Sequence, residues 1–230
     1  MSRQTTRIRV AAIATMVAVL AAAGGAQAHG QKASFSDGAQ GWEGPTGFGG
    51  ATTIDPNVGR PAPAMHTQFE DFGIEFNNSK PKWLASLKQP GAATIGLRTN
   101  TYSIWFFSQE VTRDLAVEIR DHHNPPEGFP FVAVWVPIGT LDSSRKGWRE
   151  MRVKIPDTQS ATLPAGWGGY GAEDPQTGAP MLPPGRTFAD VLANADEIAF
   201  TTLVPGWFFD MAVFDVAVDD IIVRPARAED

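Results

Sequence analysis

The chain has 230 residues, of which 43% are apolar, with no cysteine and a formal net charge of −6. That length fits one large domain, ample for a core without staples. The lack of cysteine excludes disulfides, thiol chemistry and a lipoprotein anchor, and an acidic chain with no basic cluster argues against nucleic acid and anionic membranes as partners.

Residues 1–28 read as a secretory signal peptide. Arg3, Arg7 and Arg9 open it, Val10 to Ala23 is an apolar run, and Ala26-Gln27-Ala28 is a small-x-small cleavage site. The run is short of the ~20 apolar residues a spanning helix needs, and no second apolar span follows. There is no Arg-Arg pair to support a twin-arginine route. The expected destination is the periplasm or the medium, by a Sec-type route. Residues 29–224 are expected to form a single β-sandwich domain, and 225–230 a polar tail.

Gly and Pro punctuate the rest, and long helical periodicity is nearly absent, which is the profile of an all-β sandwich. Ala33 to Asp37 reads as a short first strand, ended by the turn Asp37-Gly38. Gly44 to Gly50 and Asp55 to Pro63 are Gly- and Pro-rich loops. Strands are expected over Pro63 to Phe69 and Asp71 to Asn77, and a pair of strands over Ala92 to Ser108, turning around Asn100. Pro81 to Leu87 is ambiguous. Leu115, Val117 and Ile119 alternate with Ala116, Glu118 and Arg120, so one face should be buried and one wet.

Strands over Phe131 to Val136 and Trp148 to Ile155 come next, then a long irregular stretch from Pro156 to Gly185. One short helix is expected from Phe188 to about Ala195. Thr187 can cap it, Asp190 sits three residues on, and Phe188, Val191 and Leu192 make its apolar face. Glu197 to Leu203 and Val213 to Val223 close the domain.

The last strand carries the most informative pattern. In Phe214-Asp215-Val216-Ala217-Val218-Asp219-Asp220-Ile221-Ile222-Val223, the apolar phase changes partway: Phe214, Val216 and Val218 share one face, but Ile221 and Val223 fall on the other. A β-bulge near Val218 to Asp220 restores a single buried face. Asp219 then faces the same way as Ile221 and Val223, and a carboxylate on a core face needs a cation or several hydrogen-bond donors.

Both ends of the domain resemble a known pattern. Phe35-Ser36-Asp37-Gly38-Ala39-Gln40-Gly41-Trp42 and Val218-Asp219-Asp220-Ile221-Ile222-Val223 resemble the opening and closing phrases of galactose-binding-like jelly rolls, which include many carbohydrate-binding modules. Gly147-Trp148, Leu163-Pro164-Ala165-Gly166-Trp167, the short helix and Asp196-Glu197-Ile198 resemble the laminin-B (domain IV type A) branch of that fold. The resemblance covers Ala33 to Val223. It implies a jelly-roll β-sandwich, non-catalytic, whose first and last strands are neighbours. In many members a structural Ca²⁺ sits between them, and Asp37, Asp219 and Asp220 are the corresponding positions. Many members carry Glu where this chain has Ser36. The alternative reading of these residues is local: Asp219 caps backbone amides and Asp37 makes the turn.

The chain has seven tryptophans. Trp42, Trp105, Trp135 and Trp148 sit in strand-like sequence and are expected in the core. Trp167 and Tyr170 lie in the loop Gly166-Trp167-Gly168-Gly169-Tyr170-Gly171, and Trp207 in Pro205-Gly206-Trp207-Phe208-Phe209-Asp210. Exposed aromatic side chains stack on sugar rings, so Trp167, Tyr170 and Trp207 are the expected ligand-facing residues.

The first expectation for function is an exported binding module for glycan or another extracellular polymer. The second is a structural or surface-assembly domain that packs against another protein. A third starts from His29: its free amine and imidazole could chelate copper as a histidine brace if His66, His122 or His123 supplied a second imidazole. In Asp121-His122-His123, adjacent strand residues point to opposite faces, so a loop edge is the better reading than a shared metal. No Gly-x-Ser-x-Gly elbow occurs, and no catalytic residue is assigned.

Overall fold

The computed structural model describes residues 30–207 and 209–226. The signal peptide, the copper reading at His29 and the end of the polar tail lie outside the described residues. In chain order the elements are β1 (Gln31–Ala33), β2 (Gly50–Asp55), β3 (Ala64–Asp71), β4 (Glu75–Asn78), α1 (Pro81–Leu84), β5 (Ala93–Phe106), β6 (Gln109–Glu110), β7 (Arg113–Asp121), β8 (Val132–Leu141), β9 (Arg149–Ile155), β10 (Gly168–Tyr170), β11 (Ala172–Glu173), β12 (Pro180–Met181), α2 (Phe188–Asn194), β13 (Glu197–Thr201) and β14 (Ala212–Pro225).

The strands form two antiparallel sheets and a small β11–β12 hairpin. In the first sheet β2, β3, β14 and β5 lie side by side, β9 and β6 pair with the far edge of β5, and β1 pairs with the end of β14. The second runs β10-β8-β7-β13-β4. Strand alternation sends Phe214, Val216, Val218, Ile95 and Leu97 inward from the first sheet, to meet Val117, Ile119, Val132, Val134 and Phe200 from the second. This is the all-β sandwich that the pattern of short strands and turns implies, in the jelly-roll form that the resemblance at its two ends implies.

β14 is the hub, paired with β3, β5 and β1. Asp219 pairs with Arg98 but Ile222 pairs with Gly96, so β14 holds one extra residue. Asp220 takes it up, with φ of 49°. The bulge keeps Ile221 and Val223 in the core that Phe214, Val216 and Val218 began. Ala33 pairs with Ile221, which makes the first and last strands neighbours.

α2 forms where expected. The Thr187 side chain accepts from the backbone of Asp190, and the Asp190 side chain accepts from the backbone of Thr187, a reciprocal capping box. A further, single-turn helix is α1, within the ambiguous segment: Pro81 starts it, and Trp83 and Leu84 are buried.

Several expectations are corrected. The first strand ends at Ala33; the chain then turns, with Phe35 at φ of 58° and a bond from Gly38 N–H to the Phe35 carbonyl. Ala92 to Ser108 holds one long strand rather than a pair turning at Asn100, because β14 pairs along its length. Its pairing shifts between Thr101 and Ser103, and the extra residue turns Trp105 outward, so Trp105 is exposed and not core. Finally, β7 has no wet face: Glu118 and Arg120 are buried on its outer side.

Candidate functional site

The outer face of the second sheet gathers charge at its centre. Val117 and Ile119 of β7 turn to the core, so Glu118 and Arg120 turn away from it. Across the sheet, Glu118 lies between Trp135 of β8 and Ala199 of β13, and Arg120 lies between Ala133 and Glu197. Glu75 enters from β4, opposite Thr201.

Three glutamates surround the one guanidinium. Arg120 Nε donates to Glu118 Oε2 at 2.7 Å, and Nη1 donates to Glu75 Oε1 and Glu197 Oε1, both at 2.8 Å. Nη2 donates to Glu75 and to Glu118. Asn77 Nδ2 and Ser79 Oγ donate to Glu197 Oε2 at 3.3 and 3.2 Å. Burial pushes the Glu118 carboxyl above its usual range, against the pull of Arg120. Burial also opposes the charge on Arg120, but the hydrogen bonds and charges of the glutamates more than offset it, so its pKa is raised and it stays charged. The cluster sets three carboxyl groups against one guanidinium, so it carries excess negative charge.

Aromatic side chains flank it. Phe131 lies over the Arg120 guanidinium, 4.6 Å from ring centroid to Cζ. Tyr170 of β10 packs on Phe131 and Phe129, with centroids 5.1 and 5.4 Å apart. Burial, and then the charge of Glu118, pushes the Tyr170 hydroxyl up. Trp135 Nε1 donates to the Gly169 carbonyl at 3.2 Å, pinning the indole across β10. Glycine is required there: a Cβ on Gly168 would fall 2.5 Å from Cζ2 and 2.7 Å from Nε1 of Trp135. On the opposite side of the cluster, Glu43, Asn77, Ser79, Lys80 and Glu197 line a polar cavity of about 350 Å³.

Of the residues expected to face a ligand, Tyr170 belongs to this face. Trp207 is 73% exposed, on the loop between β13 and β14, where Gly206 lies against Pro180 of the β11–β12 hairpin. Trp167 is not displayed. It is 8% exposed and packs edge-on against Phe188 of α2 at 5.0 Å.

The three aspartates considered for calcium stand in different settings. Asp37 is exposed in its turn. Asp219 is buried and accepts from the backbone N–H of Arg60 and Asp220 at 3.0 and 2.7 Å. Asp220 pairs with Lys32 at 2.7 Å and Arg98 at 3.2 Å. Among the described residues, no group of three or more His, Cys, Asp or Glu is arranged to hold a metal ion. Past the end of β7, His122 pairs with Asp196, and His123 with the buried Asp121, which Arg186 also holds.

Sequence reasoning missed Glu75, Glu118, Arg120, Glu197 and Trp135 as a group; Trp135 was expected in the core, but it is only partly buried and lies opposite Glu118 on the outer face, because Val134 and Val136 take the inward positions of β8. The available signal was Glu118-x-Arg120 on the polar phase of an otherwise strongly apolar strand.

No family model matches the chain, the laminin-B type included, and no curated protein matches it. Solved structures of similar shape include a xylan-binding domain from CBM 22, at 8% identity and a TM-score of 0.44 over 85% of this chain and 94% of that one. Another is a carbohydrate esterase from the Shiga toxin-encoding bacteriophage phi24B, at 14% identity and 0.40 over 87% and 99%. A third is a carbohydrate-binding module, CBM28, specific for non-crystalline cellulose, at 12% identity and 0.36 over 84% and 92%. Likenesses this distant carry no inference about ligand or activity.

Proposed function

We propose that the protein is an exported, non-catalytic glycan-binding module that takes a polysaccharide across the outer face of the second sheet. Export rests on the N-terminal basic, apolar and cleavage-site pattern. One observation carries the binding site: the Trp135 indole is pinned across Gly168, beside Tyr170 and a row of fixed carboxylates. A flat aromatic ring suits the apolar face of a sugar, and carboxylates and amides suit its hydroxyls. Glu75, Glu197, Asn77 and Ser79 supply the polar part.

The site's excess negative charge selects neutral polysaccharides over acidic ones. Affinity electrophoresis through gels containing xylan, a soluble cellulose ether, a β-glucan or polygalacturonate tests this reading. The neutral polymers are expected to retard the wild-type protein, and Trp135→Ala to restore its mobility. Retardation by polygalacturonate alone, or equal retardation of Trp135→Ala, would refute it.

A further inference from the structure

The outer face of the first sheet lies on the opposite side of the sandwich from the glutamate cluster. Along β14, Phe214, Val216 and Val218 turn to the core, so Val213, Asp215 and Ala217 turn outward. Along β3, Met65 and Phe69 turn inward, so His66 and Gln68 turn outward. In β5, Ser103 pairs with Asp215 and Thr101 with Val216, which leaves Tyr102 as an extra residue in the strand. A bulge re-aims the side chains around it. This one sets two aromatic residues on the outer face: Tyr102 is 39% exposed, and Trp105, opposite Val213, is 40% exposed.

Fixed polar groups stand beside the rings. The Tyr102 ring reaches across β14 to His66, with ring centroids 5.4 Å apart. Ala217, which pairs with His66 on one side and Asn100 on the other, keeps the space between them low. His66 is held between two carboxylates, with Nε2 2.7 Å from Asp215 Oδ1 and Nδ1 3.4 Å from Asp55 Oδ2. Gln68 Nε2 donates to Asp215 Oδ2 at 3.2 Å. The Asp215 carboxylate is thereby fixed, and each of its oxygens keeps a further lone pair for a ligand hydroxyl.

We propose that this face is a second glycan site, for a neutral, extended, β-linked chain. Aromatic rings beside a fixed carboxylate and amides suit a sugar's apolar face and its hydroxyls together. Tyr102 and Trp105 stand three residues apart on one strand, roughly 10 Å. That is farther than one sugar ring is wide, so only a chain of sugars covers both. Asp55, Asp215 and Glu70, which pairs opposite Val213, set like charge against an acidic chain. The proposal extends the glycan reading to a second face but shares no residue with the first site, so either can fail alone. Both rings are more than half covered, which makes this the weaker grip, unable by itself to retard Trp135→Ala in a polymer gel. With Trp135 intact, one molecule holds two chains.

The test uses the chain from His29 onward, which keeps the core between Ala33 and Val223. Its Trp135→Ala variant is titrated with cellohexaose and, separately, with xylohexaose. The readout is the Trp105 indole N–H resonance in NMR spectra, identified by its loss in Trp105→Phe. At least one hexasaccharide is expected to shift it saturably. Adding Tyr102→Ala should raise the apparent Kd about fivefold or more, as loss of a stacking ring does, with circular dichroism unchanged because Tyr102 is on the surface. A Trp105 resonance that neither sugar moves, or an affinity that Tyr102→Ala leaves alone, would overturn the proposal. A shift seen in the wild type and lost in Trp135→Ala would also overturn it, since one site would then explain both. So would a concentration-dependent dimer that Trp105→Ala abolishes, because a second copy would then cover the face. A Trp105 resonance that responds while that of Trp135 stays unmoved in the wild type would support this site and count against the first.

Discussion

Oδ2 of Asp219 accepts the backbone N–H of Arg60 at 3.0 Å, which ties the bulge of β14 to the loop ahead of β3. Oδ1 accepts from Asp220, so the carboxylate satisfies the bulge itself as well as the neighbouring loop. Asp219→Ala leaves two amides without their acceptors and is expected to cost about 1–3 kcal/mol. Urea denaturation at neutral pH measures it, and an unchanged midpoint would remove Asp219 from the account.

Asp219 also gives the pH profile a sign. Burial, the largest influence, pushes its carboxyl above the ordinary 3.8, against the two backbone hydrogen bonds. The folded state therefore holds this proton more readily than the unfolded chain does. The stability it contributes is fully present below 3.8 and is lost as pH rises through the folded-state value. Asp219→Asn, which keeps one acceptor, should flatten that part of the profile in denaturation series run from acidic to neutral pH.

The glutamate cluster depends on its one guanidinium. Arg120→Ala would leave Glu118 buried without its partner, with a cost of about 3–5 kcal/mol. Arg120→Lys should recover only part of this, because an ammonium lacks the planar fork that serves three carboxylates at once. Equal midpoints for Arg120→Lys and the wild type would show that the fork geometry is unimportant.

Thr187→Ala removes one half of the α2 capping box and should cost about 1 kcal/mol. The Thr187 hydroxyl and backbone hold the Asp190 carboxyl below its ordinary value. Its contribution is thus present above 3.8 and fades as pH falls through the lower folded-state value. The difference between wild type and Thr187→Ala, read by denaturant titration, should shrink on strong acidification.

Gly168→Ala separates binding from folding. The added methyl group would overlap the Trp135 indole, which must swing off β10 because the backbone of Gly168 stays paired with that of Trp135. Glycan affinity is expected to fall about tenfold, in line with loss of an aromatic contact of about 1.4 kcal/mol. Thermal melting should move little. Unaltered affinity would mean that the indole does not touch the sugar.

What was legible in the sequence was local. The phase change between Val218 and Ile221 reports a bulge because strand alternation has a fixed period, and Thr187 with Asp190 reports a helix start because both partners lie within one turn. What was not legible depended on distant contacts. Glu118 and Arg120 read as a wet face because Phe131, Trp135 and Glu75, which cover and pair them, come from other strands and loops. Trp167 read as displayed because its loop is glycine-rich, but Phe188 packs against it from α2. Trp105 read as core because the extra residue in β5 has no sequence signature comparable to the one in β14.

The most direct test of the glycan face is the indole N–H resonance of Trp135 in ¹H–¹⁵N NMR spectra, identified by its disappearance in Trp135→Phe. Titration with an oligosaccharide from the best-retarding polysaccharide should shift it in step with saturation. An unmoved Trp135 resonance while the oligosaccharide saturates the protein would place the ligand elsewhere and contradict the account.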